Sequence, residues 1–119
     1  MGLKFLITGG AGFLGINLCR YLLDRGHDLR SLDIAEFNYP ERARVEAVKA
    51  DIRDPAAVDA AMAGIGIVVH CAAKLPRSTD REILSTNIDG TRVLLESARR
   101  NSRQISSARI FDTPYGPTP

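Results

Sequence analysis

Residues Lys4–Gly15 have the sequence KFLITGGAGFLG, and this stretch decides the fold. An apolar run from Phe5 to Ile7 ends at Thr8, and glycines follow at positions 9, 10, 12 and 15 before helix-period apolar residues begin. This order predicts a strand, a tight turn and a helix. Glycine suits such a turn because it allows a positive φ, leaves no Cβ in the path of a diphosphate, and lets the helix approach the strand closely.

The start of that helix and an acid further along the chain together predict a dinucleotide site. The first turn of a helix offers unpaired amides and the positive end of its dipole to a phosphate. Asp33 lies eighteen positions after Gly15, close to the spacing of about 20 residues typical of a ribose-binding carboxylate. The alternatives are a glycine-rich turn between core elements and an ordinary loop acid. A carboxylate repels a 2′-phosphate, and Ile34 rather than an arginine follows it, so NAD is favoured over NADP.

Composition limits the class of protein. The 119 residues fit one domain, which at this size buries roughly two thirds of the unfolded chain's surface. The formal charge is +2 and both signs are mixed along the chain, so nucleic acid and anionic membrane are poor candidate partners. Two unclustered cysteines, Cys19 and Cys71, form neither a disulfide framework nor a metal site. There is no charged-then-apolar leader and no apolar run of bilayer length, which favours the cytoplasm.

The rest of the chain alternates between the two kinds of periodicity. Helices are predicted over Gly12–Arg25, over 55–62 and from Thr79 to about Arg100, strands over His27–Asp33, Val45–Ala50 and Ile65–Cys71, and a loop with at most a short helix over 34–44. The run 65–71 is almost continuously apolar, as is typical of a parallel strand covered on both faces. We therefore predict an α/β fold with a doubly wound parallel sheet and right-handed crossovers.

Further candidate ligand residues follow the predicted strands. Asp51 and Ile52 lie just beyond the third strand, where open α/β sheets bind ligands, and either frame an adenine or form a plain capping loop. Ala72 and Ala73 at the end of the fourth strand leave room for a flat ligand against the backbone. For Lys74, a phosphate contact and a solvated side chain stay open as alternatives.

Two features of the second half concern packing as much as function. His70 lies inside a strand, so a satisfied core histidine is favoured over a catalytic one. The last helix is predicted to begin with a capping box, Thr79 and Glu82, and to present one apolar face: Leu84, Ile88, Thr91, Leu95 and Ala98. Asn87 and Gly90 lower the helix propensity in its middle, so Gly90 indicates close packing and Asn87 a hydrogen bond to the neighbouring strand or to a ligand.

Five motifs now stand in order: TGGAGFLG, the acid at Asp33, DIRDP, VVHCAA and NIDGT. Over about Leu3 to Arg100 they resemble the extended short-chain dehydrogenase/reductase family, the NAD-dependent epimerase/dehydratases. The resemblance implies a Rossmann domain, tightly bound NAD, hydride chemistry on substrates such as nucleotide sugars, and a dimer interface on the Thr79–Arg100 helix. It implies contacts to the pyrophosphate from Gly9, Gly12, Phe13, Leu14 and Gly15, to the ribose from Asp33, to adenine from Asp51 and Ile52, to the nicotinamide-side ribose from Ala72 and Ala73, and a family asparagine position at Asn87; Ile34 and Lys74 complete the candidate cofactor-binding residues.

The resemblance also specifies catalytic residues, and here the chain departs from the family. The family uses a serine or threonine and a tyrosine followed four places later by a lysine, whose charge favours tyrosinate so that the tyrosine acts as general acid and base. Four places after the three tyrosines, 21, 39 and 115, stand Arg25, Ala43 and Pro119. The segment 106–112 resembles an altered copy of the family's serine-x-x-valine-tyrosine-glycine stretch. It assigns the polarising role to Ser107, with a strand serine without chemistry as the alternative.

We therefore expect a partial NAD-binding Rossmann domain over residues 1–112, truncated after about the fourth or fifth strand, a Pro/Gly-rich tail at 113–119, and no C-terminal substrate domain. The favoured function is the NAD-binding N-terminal portion of an epimerase/dehydratase-like protein, without catalytic competence alone. The alternatives are a complete oxidoreductase, sugar-nucleotide epimerase or hydroxysteroid dehydrogenase-like enzyme whose acid/base comes from elsewhere, and a non-enzymatic interaction or sensor module. A truncated gene product and a deliberately shortened chain both fit this pattern.

Overall fold

The computed structural model describes residues 4–72, 81 and 85–101, and within these ranges the chain forms a parallel sheet. Its strands are β1 (Lys4–Thr8), β2 (Asp28–Asp33), β3 (Val45–Lys49) and β4 (Ile67–His70), in the order β3-β2-β1-β4. Every neighbouring pair is parallel. The chain winds outward from β1 to β3 and then returns across β1 to β4, which confirms the predicted doubly wound α/β sheet. A fifth strand would lie outside the described residues.

Helices connect these strands. They are α1 (Phe13–Asp24), α2 (Pro55–Ala61) and α3 (Gly90–Arg100), with a 3₁₀ turn at Pro40–Arg44 and a π-helical turn at Ser85–Asp89. The Asp54 carboxylate accepts hydrogen bonds from the amides of Ala56 and Ala57 and so caps α2. Gly26 follows α1 with a φ of 83°, which favours glycine. No helix in the described ranges is long and apolar enough to cross a membrane.

The sheet is buried on both faces. Leu6 in β1 packs with Leu94 of α3 in one apolar cluster, whereas its neighbours Phe5 and Ile7 pack with Cys19 of α1 in another. Successive residues of a strand point to opposite faces, so α2 and α3 cover one face and α1 covers the other. This arrangement explains why β1 and β4 have near-continuous apolar sequences rather than alternating ones.

Helix α3 buries a different face from the one predicted. Its buried residues are Gly90, Leu94, Ser97 and Ala98. Ile88 and Leu95 are 54% and 50% exposed, so the predicted apolar face is not the one that packs against the sheet. Gly90 decides the orientation: a Cβ there would lie 2.5 Å from Cγ2 of Ile52, so the helix packs through its glycine, and the close packing predicted there is confirmed. The predicted capping box and Leu84 lie outside the described residues.

Candidate functional site

The carboxyl ends of β1 and β4 lie side by side at the point where the winding direction reverses, which is where open α/β sheets form a ligand crevice. Gly9, directly after β1, has a φ of 73°, and a Cβ there would lie 2.8 Å from the amide nitrogen of Ala72. Position 9 therefore excludes every residue with a side chain for two reasons: the positive φ is unfavourable for L-residues, and a Cβ would collide with the main chain of Ala72. The two main chains meet at the position where open α/β sheets bind ligands.

The glycines after β1 have distinct surroundings. The Gly9 amide donates to Leu32 O at 2.8 Å, which ties the turn to β2, and the Gly12 amide donates to Gly9 O at 3.0 Å. A Cβ on Gly15 would lie 2.7 Å from Gly10 Cα, so α1 approaches the turn as closely as predicted. A Cβ on Gly12 would meet a single atom, Gly9 O at 3.4 Å. Gly12 is thus the position where the absence of a side chain leaves open space.

The start of α1 has no side-chain cap. Gly12 is its N-cap residue and makes no side-chain hydrogen bond, and the first turn carries no acid. The first amides of a helix have no acceptor within the helix, and they lie at the positive end of its dipole. The side chains of Phe13 and Leu14 are 82% and 41% exposed. The helix start therefore presents amides and apolar side chains to solvent, a combination suited to a bound anion beside a flat group.

Asp33 lies against the glycine turn. Its Oδ2 accepts the amide of Ala11 at 3.0 Å, and its Oδ1 accepts the amide of Ala35 at 2.9 Å. An ionised carboxylate has about four acceptor positions, so each oxygen keeps capacity for a further donor. Ile34 is exposed beside it. The spacing from Gly15 to Asp33 thus brings a carboxylate and an uncapped helix start to one edge of the sheet.

The segment 34–44 also holds the turn, through a residue that the sequence analysis missed. Tyr39 Oη donates to Ala11 O at 2.6 Å, so Ala11 is held through both its amide and its carbonyl. The Arg20 guanidinium lies 5.7 Å from the centre of the Tyr39 ring and forms an ion pair with Glu41 at 2.9 Å. The hydrogen bond from Arg20 lowers the pKa of the Glu41 carboxyl. The available signal for this contact was a pair of aromatic residues, Phe37 and Tyr39, in a mostly polar loop.

The two candidate adenine-binding residues after β3 differ in exposure: Asp51 is partly exposed and Ile52 is buried. The Asp51 carboxylate accepts from Arg53 Nη2 at 2.6 Å and from the Arg53 amide at 2.8 Å, and it is partly exposed. The side chain of Ile52 is 5% exposed and belongs to the core beneath Gly90. Any contact between Ile52 and a base would therefore use its main chain.

The remaining predicted residues follow β4. Ala72 is half-buried beside Gly9. Asn87 lies in the π-helical turn, where its main-chain oxygen accepts the Thr91 hydroxyl at 2.5 Å. His70 is buried and has a hydrogen-bond partner at each ring nitrogen, which confirms the prediction of a satisfied core histidine. Ala73, Lys74 and Ser107 lie outside the described residues.

Known proteins share this geometry. Residues 5–118 match the family model described as the NAD dependent epimerase/dehydratase family. A similar curated protein is the 3 beta-hydroxysteroid dehydrogenase/Delta 5-->4-isomerase of Mycobacterium tuberculosis, which is 36% identical over 105 residues, or 82% of this chain and 28% of that protein. The D-erythronate dehydrogenase of Cupriavidus necator is 35% identical over 86% of this chain and 36% of its own length. The chain thus spans about a third of the length of the curated relatives it matches.

A solved structure agrees with these sequence matches. A variant of uronate dehydrogenase from Agrobacterium tumefaciens, in complex with NAD, superposes with a TM-score of 0.76 and 31% identity. The match covers 95% of this chain and 41% of that one. The sequence relatives and the solved structure are therefore all dehydrogenases that match this chain over most of its length. In each of them, the matching part is less than half of the protein.

Proposed function

This chain belongs to the NAD dependent epimerase/dehydratase family, and on that premise we propose that it is the NAD-binding N-terminal portion of an epimerase or dehydrogenase. We propose residues 1–112 as the cofactor-binding domain and 113–119 as a tail. One observation carries the proposal: the Asp33 carboxylate lies 3.0 Å from the amide of Ala11, inside the turn that leads to the uncapped start of α1. A ribose acceptor and a diphosphate site thus adjoin each other.

Each end of the dinucleotide has proposed contacts. The amides at the start of α1 would hold the diphosphate, because Gly12 leaves them uncovered. Asp33 would accept the adenosine ribose hydroxyls, and Asp51 with the main chain of Ile52 would flank adenine. Ala72 and Ala73 would lie at the nicotinamide-side ribose, with Lys74 at a phosphate and Asn87 nearby. When bound, NAD supplies the hydride acceptor, and the chain's own residues orient it.

We propose that NAD is preferred over NADP. A 2′-phosphate would bring about two negative charges to Asp33, and the exposed neighbour is the apolar Ile34 rather than a cation. Two carboxylate oxygens that each accept a protein amide cannot turn away from the phosphate without losing those bonds. The Asp33 carboxylate would therefore stay in place and repel the 2′-phosphate of NADP.

Titration calorimetry with NAD and NADP tests the cofactor assignment. We expect heat with NAD and a much weaker response with NADP. Asp33→Asn should weaken NAD binding, since one acceptor oxygen becomes a donor, whereas Asp28→Asn is the matched control at the exposed opposite end of the same strand. The absence of both heat and thermal shift at millimolar NAD would reject the assignment.

We propose that this chain alone does not complete a catalytic cycle. The family's tyrosine-lysine pair is missing from the sequence, and Ser107 remains a proposed polarising residue without a partner acid/base. The substrate class proposed for the longer protein is a nucleotide sugar, which the family resemblance implies, or a hydroxysteroid, since one relative is named a 3 beta-hydroxysteroid dehydrogenase/Delta 5-->4-isomerase. NADH absorbance with the chain, NAD and either substrate should stay flat; steady turnover would favour the complete-enzyme alternative.

A homodimer through α3 is the proposed assembly. Ile88 and Leu95 lie seven residues apart, hence on one side of the helix, and both are about half exposed. Burying that stripe against a second copy would remove it from water. Light scattering should give twice the chain mass, and Leu95→Glu should return it to the monomer mass, while Arg92→Glu on the same helix tests charge alone. A wild-type monomer at high concentration would overturn this assembly.

A further inference from the structure

A buried chain of hydrogen bonds joins the exits of β1 and β4 to the π-helical turn. Thr8 Oγ1 lies 2.7 Å from His70 Nδ1, and His70 Nε2 lies 3.1 Å from Thr91 Oγ1. The Thr91 hydroxyl donates to Asn87 O at 2.5 Å. Both Thr8 and His70 are buried, so water does not replace these contacts. The relay, defined as Thr8, His70, Thr91 and Asn87 O, spans three elements that meet at the crevice.

The direction of each hydrogen bond follows from the atoms involved. A carbonyl oxygen only accepts, so the single hydroxyl proton of Thr91 goes to Asn87 O. The contact between Thr91 and His70 Nε2 therefore needs a proton on Nε2. In a neutral imidazole Nδ1 is then the acceptor, and Thr8 donates to it. The relay requires one tautomer of His70, the neutral ring protonated at Nε2.

Thr8 passes this constraint to the main chain beside the glycine turn. Its Oγ1 also accepts the amides of Cys71 at 3.0 Å and Ala72 at 3.3 Å. The Thr8 hydroxyl thus donates one hydrogen bond to His70 and accepts two from the main chain, so it has no lone pair left. A protonated ring would direct a second N–H at an oxygen without a free lone pair. The neutral ring thus fixes Ala72, whose amide nitrogen approaches Gly9 too closely for any Cβ.

We propose that His70 is a positioning residue for the dinucleotide crevice, acting as a fixed-tautomer bridge that holds the main chain of Ala72 on one side and the Asn87 turn on the other. The inference rests on the proposed NAD site for its functional consequence, since His70 itself is buried behind it. π-Helical turns are rare and are frequently found at functional sites. Here the turn places Asn87 O within reach of Thr91, which in turn contacts the strand.

The first test needs no ligand. Long-range ¹H–¹⁵N correlation spectra of the imidazole rings distinguish tautomers, and the chain has only two histidines. A His27→Gln variant, on the opposite end of the sheet, assigns the remaining signals to His70. We expect protonated Nε2 and an unprotonated, hydrogen-bonded Nδ1. The opposite tautomer, or averaging between the two, would overturn the relay.

The second test compares variants of two hydroxyl residues of α3, the half-buried Thr91 and the buried Ser97. Thr91→Val keeps the shape of the side chain and breaks the relay, Thr91→Ser keeps the hydroxyl, and Ser97→Ala removes a hydroxyl that bonds Asp59 away from the crevice. Thr91→Val should shift the Ala72 amide resonance in the free protein and weaken NAD binding roughly tenfold, the factor for about one buried hydrogen bond. Thr91→Ser and Ser97→Ala should bind like wild type.

Equal loss of affinity in Thr91→Val and Ser97→Ala would overturn the proposal, because both effects would then reflect stability alone. An unchanged Ala72 resonance in Thr91→Val would also overturn it. If wild type itself fails to bind NAD, the proposed function falls, while the tautomer and the Ala72 resonance still decide whether His70 positions this main chain.

Discussion

Two single substitutions in the glycine turn, Gly15→Ala and Gly12→Ala, distinguish the contribution of these glycines to folding from their contribution to NAD binding. In Gly15→Ala, the new Cβ would lie 2.7 Å from Gly10 Cα and 2.8 Å from Gly9 C. Both are backbone atoms, so they do not swing aside as a flexible side chain does. Overpacking of this kind costs about 1–3 kcal/mol, and alanine in a helix recovers about 1 kcal/mol. Because the new Cβ would lie even closer to Gly9 O, the upper part of that range applies, about 2–3 kcal/mol. After the recovery of about 1 kcal/mol, we expect a net loss of about 1–2 kcal/mol of unfolding free energy.

Gly12→Ala should behave in the opposite way. Its Cβ would meet only Gly9 O at 3.4 Å, an ordinary contact. Alanine is a poorer N-cap than glycine by about 0.5 kcal/mol or more, but it restricts the unfolded chain by about 0.4–1 kcal/mol. Stability should therefore stay within about 1 kcal/mol of wild type. The same Cβ would occupy the open space at the start of α1, so NAD binding should be lost.

Urea unfolding and NAD calorimetry on the two variants provide the assay. A loss of 1 kcal/mol corresponds to roughly 4 °C in melting temperature for a domain of this size, so thermal unfolding resolves the predicted difference. Gly15→Ala with wild-type stability would refute the packing argument. Gly12→Ala with wild-type NAD affinity would refute the assignment of that open space to the diphosphate.

Three further predictions concern side chains around the turn and the core. Tyr39→Phe leaves Ala11 O without its donor and should cost about 1 kcal/mol in urea unfolding, with faster hydrogen exchange in the turn; unchanged values would show that Tyr39 does not hold it. The hydrogen bond from Ser97, followed by that from Arg100, lowers the pKa of the Asp59 carboxyl below its ordinary value. Its stabilising contribution is therefore present above the ordinary pKa of an aspartate, about 4, and is lost as the pH falls through the lowered pKa, so Ser97→Ala should reduce the acid dependence of the urea midpoint between neutral pH and about pH 3. Burial raises the pKa of Cys19 to about 12, so a thiol reagent at pH 8 should leave it unmodified until the protein unfolds; rapid modification in the native state would contradict this.

The sequence predicts the site best where the determining contacts are local. The glycine spacing specifies strand, turn and helix because each glycine excludes a Cβ at a defined point of one short segment. Asp33 follows from a spacing along the chain, and the parallel pairing of β1 with β2 brings it to the turn. The elements up to β4 are predicted for the same reason, since their periodicity and caps are local signals.

Residues that act through contacts distant in sequence were missed. Tyr39 reaches Ala11 across 28 positions, and Thr8 reaches His70 across 62. No periodicity encodes such pairs, because the register of the sheet creates them. The buried face of α3 does not follow from the sequence for a related reason: the helix has two apolar stripes, and only the close packing of Gly90 on Ile52 selects between them.

The double attachment of Ala11 restricts how cofactor choice can evolve in this chain. The carboxylate proposed to discriminate against the phosphorylated dinucleotide is also a structural acceptor for the turn that binds either one. A single substitution that removes the charge would also remove at least one of the two amide bonds to Ala11 and Ala35, because asparagine keeps one acceptor oxygen and a small apolar residue keeps none; the turn would loosen, and affinity for both cofactors would fall together. A lineage that changes its preference must therefore supply a second residue that restores the lost bond, and intermediates without it would be selected against.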